Sequence, residues 1–187
     1  KRTSQMDNKR AANKKMTTTF SNMDVSKLQP QARDLEEAVL GAMMLEKYAP
    51  EKVASYLKKE AFYVEAHQHI YEGILQLFTD GHPIDILTVT AQLRKNGILE
   101  AVGGAFYITT LTNRVSSAAN IEYHAHIVIQ KSIQRQLITV AGEIGTKAFE
   151  ETSDAFELLD QSEKKLFEIK NESMTKSYDT VTDLIAR

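Results

Sequence analysis

The residue types able to carry chemistry are few in this chain and poorly spaced for it. Two His-x-His pairs, His67/His69 and His124/His126, would offer metal ligands only on an extended backbone, because residues two apart on a helix point roughly 200° away from each other. Both pairs fall in stretches with helical periodicity and read as packed or surface histidines. The adjacent carboxylates Glu36/Glu37 and Glu150/Glu151 sit at expected helix ends and read as solvated charges rather than an acid–base couple. A phosphate-binding loop would read G-x-x-x-x-G-K-[ST]. The nearest run, Gly142-Glu143-Ile144-Gly145-Thr146-Lys147, has the wrong order and lies inside a helical stretch. No nucleophile, histidine and acid can be aligned from their spacing. There is also no cysteine to hold a metal or form a disulfide, which fits a reducing cytoplasm. No catalytic, cofactor-binding or metal-binding residue is expected in this segment, and its function is sought in surfaces.

The elements that would present such surfaces are helical. Ala, Leu, Ile, Glu, Lys and Gln dominate the 187 residues, with only three prolines and no tryptophan. No apolar run approaches the roughly 18 residues of a membrane span, and the first residues lack the apolar core of a secretory signal. The fold class expected is all-α, a compact globular domain of about six helices followed by a long antiparallel helical hairpin. Charge divides the chain. Residues 1–30 hold seven Lys or Arg against two Asp, a net +5, which leaves −7 for the rest of a chain whose total is −2. That arm has too little apolar content to offset the entropy of ordering and reads as disordered. The acidic remainder is a poor candidate for gripping phosphates.

In chain order, residues 31–119 read as the globular domain. Asp34 and Glu37 have capping-box spacing ahead of a stripe of Leu35, Ala38, Val39, Ala42 and Met43. Pro50 opens a short helix carrying Val53, Tyr56 and Leu57. A longer helix running to about Phe78 holds His67, Ile70 and Tyr71. The stretch 81–104, with its own start and stop signals, organises the domain. Pro83 and Asp85 start a helix, Ile86, Val89, Thr90 and Leu93 make its stripe, Asn96-Gly97 ends it, and Gly103-Gly104 turns the chain into the next helix. Met43, Met44, Tyr63, Tyr71 and Tyr107 read as core, with a partner-binding surface as the alternative. Asn120 then caps a helix expected to reach about Phe149. Thr152-Ser153-Asp154 makes a turn, and Ala155, Leu159, Ser162, Leu166 and Ile169 form the facing stripe of a hairpin over 120–170. Tyr123, Ile127, Phe156 and Phe167 exceed what one seam uses and suggest a protein–protein surface. Residues 171–187 read as a polar linker and the start of a further amphipathic helix.

Several of these runs, in order, resemble one family. Gly81-x-Pro83-Ile84-Asp85-x-x-Thr88-Val89-x-x-x-Leu93-x-x-x-Gly97-x-Leu99-x-x-Val102-Gly103-Gly104 is similar to a stretch of the N-terminal domain of the bacterial replicative DNA helicase, the DnaB family. So are Glu37 to Ala42, the spacing Phe62-Tyr63-x-x-x-His67-x-x-Ile70-Tyr71, and the loop ending in Ala118-Ala119-Asn120. The resemblance implies a non-catalytic collar domain that associates from dimers into a hexameric ring. It also implies docking of the helicase-binding domain of primase during DNA replication in the bacterial cytoplasm, with a helicase loader as a further partner. The family's ATP-dependent motor domain, with its ATP, magnesium and principal DNA contacts, lies outside this segment, and no membrane contact is implied. Val181, Leu184 and Ile185 correspond to the family's linker helix, which docks on the neighbouring motor. From helical stripes and expected exposure, Ile129, Ile133, Leu137, Val140, Leu159 and Leu166 are the expected self-association seam. Tyr123, Ile127, Gln134, Arg135 and Phe156 are the expected primase-facing residues. The alternative from another class is a free-standing helical adaptor or nucleic-acid-binding regulator that uses the basic arm.

Overall fold

A computed structural model describes residues 28–115, 117–150 and 154–174. The arm as far as residue 27 lies outside the described residues, as do the linker-helix positions Val181, Leu184 and Ile185. Among the described residues there are seven α-helices and no strand: α1 (Arg33–Leu45), α2 (Ala49–Val53), α3 (Glu65–Thr79), α4 (Ile86–Lys95), α5 (Gly104–Asn113), α6 (Ile121–Ala148) and α7 (Ala155–Met174). A short 3-10 turn, Lys59–Ala61, lies between α2 and α3.

The hub of the globular part is α1 rather than the stretch 81–104. Val39, Leu40, Ala42, Met43 and Met44 are all buried, so its C-terminal half is apolar nearly all round, as a helix enclosed by others must be. It packs on α2, α3, α5 and α6. Gly41 sets how closely α5 approaches, because a Cβ there would stand 2.3 Å from the Leu111 carbonyl oxygen and 2.7 Å from Val115. The capping box expected of Asp34 and Glu37 is not formed. Ala32 is the N-cap, without a side-chain cap, and the glutamates of this turn are used elsewhere.

The stretch 81–104 folds as its spacing requires. Asp85 Oδ1 accepts from the backbone N–H groups of Leu87 and Thr88, each at 2.8 Å, and Thr88 Oγ1 accepts from Asp85 N at 2.9 Å. Such a cap is worth about 1 kcal/mol. Val89, Thr90 and Leu93 are buried, and the chain leaves α4 through Gly97. Gly103 turns it into α5 at φ 102°, a conformation that disfavours any side chain. Asn120 does precede α6, but its side chain makes no cap bond.

The helix α6 belongs to both parts of the molecule. Its first turns supply Ile121, Ala125 and Val128 to the core, while from Arg135 onward its residues are half-buried or exposed. It continues unbroken through Gly142 and Gly145, whose absent side chains no neighbour requires. Asp154 caps α7 by accepting from Phe156 N at 2.8 Å and Glu157 N at 3.2 Å. The polar run from Asn171, expected as linker, instead extends α7 to Met174, since it contains neither Gly nor Pro to stop the helix.

Candidate functional site

The functional surface is best built from the hairpin seam outward. Lys165 pairs with Glu143, and Lys147 Nζ donates to Gln161 Oε1 at 2.9 Å, so α7 runs antiparallel to α6. The Lys165 ammonium, as hydrogen-bond donor and as charge, holds the Glu143 carboxyl below the usual carboxylate range. Apolar burial at the seam is thin. Ile169 is buried and Leu158 and Ser162 are half-buried, whereas Leu159 and Leu166, expected to face α6, are exposed. Ser162 and Ile169 of the expected stripe thus lie on the covered side with Leu158, and two polar pairs, rather than Leu159 and Leu166, complete the contact with α6. Among the described elements α7 packs chiefly on α6. A helix with one main neighbour covers only a narrow strip of itself.

That arrangement divides the six expected seam residues. Ile129 packs against the core, and Ile133 and Val140 are half-buried beside grooves along α6. Leu137, Leu159 and Leu166 point to solvent, the last two seven residues apart on one face of α7. The other five candidates are not brought together. Tyr123 is 68% exposed at the root of the hairpin, while Phe156 is 82% exposed at its tip. The antiparallel register separates them by nearly the length of α6, about 40 Å. Ile127 is half-buried and Gln134 exposed.

Arg135 lacks the exposure expected of it. Its guanidinium donates to the Pro30 carbonyl at 2.9 Å and to the Ala61 carbonyl at 2.7 Å. It also lies over the Tyr63 ring, 5.5 Å from the centroid, and Arg33 lies over the same ring at 5.4 Å. Burial draws the pKa of Arg135 down, against the pull of Glu36 and Tyr63. These bonds tie the segment before α1, the 3-10 turn and α6 together where the hairpin leaves the globular part.

The least expected group is a buried relay. Glu36, read from sequence as a solvated charge, is 1% exposed. It accepts from Tyr63 N at 2.7 Å, Val64 N at 3.3 Å and His67 Nδ1 at 2.7 Å. The other ring nitrogen, His67 Nε2, lies 2.6 Å from the Tyr107 hydroxyl. The Tyr107 phenol is pushed up to about 12, by burial first and by Glu37 second, so it keeps its proton to donate. Glu37 in turn pairs with Arg114. The sequence did contain a signal for this arrangement. The residue before α3 is Val64, which cannot cap a helix with its own side chain, so a carboxylate from elsewhere fills the N-terminus. The relay has the members of a nucleophile–base–acid set, yet it joins α1, α3 and α5 inside the fold. It explains packing rather than catalysis.

The histidines are otherwise dispersed. His69 faces Glu65 at 3.9 Å and His126 stacks on Tyr56 at 5.3 Å between ring centroids. No group of three or more metal-ligating side chains occurs among the described residues, and none of their helices is long and apolar enough to cross a membrane.

Comparison with known proteins agrees with this geometry. Residues 28–130 match the family described as the DnaB-like helicase N terminal domain. The replicative DNA helicase DnaB of Rhodothermus marinus is 38% identical over 164 residues, which cover 88% of this chain and 17% of that protein. The replicative DNA helicase DnaC of Bacillus subtilis is 37% identical over 161 residues, 86% of this chain and 36% of that one. The chain thus spans well under half the length of these curated relatives. The crystal structure of the N-terminal domain of DnaB helicase from Mycobacterium tuberculosis superposes with a TM-score of 0.71 at 34% identity, covering 76% of this chain and 99% of that one. A DnaB-like replicative helicase described with its interactions with primase shares the fold at a TM-score of 0.62 and 24% identity. By its sequence and by its all-helical fold, the chain belongs to the family of DnaB-like helicase N-terminal domains.

Proposed function

We propose that this domain serves a replicative helicase as a collar, pairing with copies of itself and presenting a docking surface for primase. The observation that carries the reading is the hairpin. Among the described elements its α7 packs chiefly on α6 and leaves Phe156, Leu159, Leu166 and Phe167 exposed, more apolar surface than a monomer has reason to expose. Self-association falls to Leu159 and Leu166 with Leu137, while Ile129, Ile133 and Val140 back the same hairpin from its inner side. Primase docking falls to one face of the first half of α6, on which Tyr123, Ile127 and Gln134 recur at spacings of four and seven residues. Phe156, at the far tip, serves a separate contact, and Arg135 fixes the angle at which the hairpin is offered. The description of a DnaB-like helicase of this fold with its interactions with primase supports the docking role. Unwinding driven by ATP and magnesium, and contacts with DNA and a loader, belong on this reading to a motor domain that Val181, Leu184 and Ile185 would engage. The setting is the bacterial cytoplasm. A ring of such surfaces would raise the primase concentration at the fork by multivalency.

Light scattering across concentration, with and without the helicase-binding domain of primase, tests the proposal. The expected result is a dimer or larger species that gains mass with primase. A strict monomer that leaves primase unbound would overturn it.

A further inference from the structure

Of the seven asparagines in the chain, one is followed by glycine, and it closes α4. Asn96 is the C-cap of that helix, at φ −75° and ψ −6°, and Gly97 follows at φ 73°. The left-handed step calls for a glycine, so the turn that ends α4 also fixes the Asn-Gly pair. With no Cβ beside it, the Gly97 nitrogen is free to approach the Asn96 side-chain carbonyl carbon. Both residues are exposed, and a Cβ on Gly97 would meet nothing within 4 Å, so water and base reach the pair.

Hydrogen bonds oppose that approach in the folded chain. Gly97 N donates to the Arg94 carbonyl at 3.0 Å, and Asn96 N donates to the Gln92 carbonyl at 2.9 Å. The side-chain amide is held on both sides. Asn96 Nδ2 donates to Gln76 Oε1 at 3.0 Å, and Gln92 Nε2 donates to Asn96 Oδ1 at 3.2 Å. Gln92 Nε2 also donates to Gln76 Oε1 at 2.8 Å, so three amides clamp the end of α4 to α3. At ψ −6° the Gly97 nitrogen is nearly eclipsed with Asn96 N and turned away from Cγ. Bringing the two together requires the last turn of α4 to open.

We propose that Asn96 is a site of spontaneous deamidation, gated by opening of this clamp, and that the acid it forms unfastens α4 from α3. In the opened turn the Gly97 N–H gives its proton to solvent base and the nitrogen bonds to Asn96 Cγ. The Cγ–Nδ2 bond breaks, and Nδ2 leaves with a proton from solvent as ammonia. Water then opens the cyclic imide, at Cγ to leave aspartate or at the main-chain carbonyl to leave isoaspartate. The sum is amide plus water to acid plus ammonia, with no change of oxidation state. Either product lacks the N–H that Gln76 Oε1 accepts and sets a carboxylate oxygen against that acceptor. Either also adds negative charge at the end of the helix that disfavours it. Isoaspartate further lengthens the main chain by a methylene just ahead of Ile98 and Leu99, which anchor the turn on the core.

The test is peptide mapping by mass spectrometry after prolonged incubation of the 187-residue chain, with digestion at mildly acidic pH and separation of aspartyl from isoaspartyl products. The folded chain is expected to gain both at position 96, faster as pH rises, and the chain in urea to gain them faster still. Gln76→Ala/Gln92→Ala leaves the backbone bonds in place and should speed the folded-state reaction about tenfold, the effect of about 1.4 kcal/mol of lost hydrogen bonding, without changing the rate in urea. Asn96→Gln, whose larger ring closes poorly, should stop it. Asn96→Asp should speed amide hydrogen exchange at Gly97 and Ile98 about tenfold. Equal rates in the Gln76/Gln92 variant and the unaltered chain, or in urea and buffer, would overturn the gate. An intact Asn96 in the folded Gln76/Gln92 variant would overturn the site itself, and unchanged exchange in Asn96→Asp would overturn the unfastening.

Discussion

The two ends of α6 belong to regions stabilised in opposite ways. At its root, Ile121, Ala125 and Val128 share one core with α1, and the charged groups nearby are locked into bonds with named partners. Toward its tip, the same helix meets α7 through exposed polar pairs, and Phe156 and Leu159 of α7 stand in solvent. A group buried with partners is costly to alter, because what it leaves behind is also buried. An exposed apolar side chain changes little until something binds to it. The first region should therefore report substitutions as stability, and the second as association.

Replacing Glu36 tests this contrast most severely. Glu36→Ala strands two backbone donors and His67 in the interior and is expected to destabilise by about 3–5 kcal/mol, measured by urea unfolding. Gly41→Ala comes next. Its Cβ would collide with the backbone of α5, and separating the helices should cost about 1–3 kcal/mol with a matching fall in thermal midpoint. Tyr107→Phe removes the donor to His67 and should cost about 1–2 kcal/mol. Buried phenols also give the globular part a pH signature. Tyr56 and Tyr107 are both pushed up to about 12, Tyr56 by burial and then Glu122, so the unfolded chain releases these protons first, near pH 10. Their stabilisation is whole below pH 10 and falls away as pH rises toward 12, and Tyr107→Phe should flatten that decline. At the other extreme, Leu159→Ser should change the monomer by no more than about 0.5 kcal/mol yet weaken self-association about tenfold in sedimentation. A large loss of monomer stability from Leu159→Ser would erase the contrast.

Much of the head was legible because its signals are local. Asp85, the α4 stripe and the Gly97 stop each act within a turn or two, and the structure reproduces them. What escaped is non-local. Glu36 looks solvated because nothing within ten residues needs a carboxylate. Its partners lie 27 to 31 residues away, at the uncapped start of α3. Arg135 looked exposed for the same reason, since its acceptors are carbonyls 105 and 74 residues distant, and carbonyls leave no mark in a sequence. The hairpin was legible as two long helices, and its seam only at Ser162 and Ile169. Period alone proposes Leu159 and Leu166, whereas Lys165 and Gln161 find partners on α6 one position round. Where apolar burial is thin, a few polar pairs decide the register.

One consequence of α6 being continuous is mechanical. Rooted in the core and clasped at Arg135, it acts as a rigid lever whose free length to Phe149 is 14 residues, about 21 Å. A rotation of about 5° at the clasp sweeps the tip through about 2 Å, roughly the tolerance within which two close-packed surfaces still fit. Alignment at the far end is thus set by the fulcrum, and a change at Tyr63 or Ala61 would be felt most where it makes no contact.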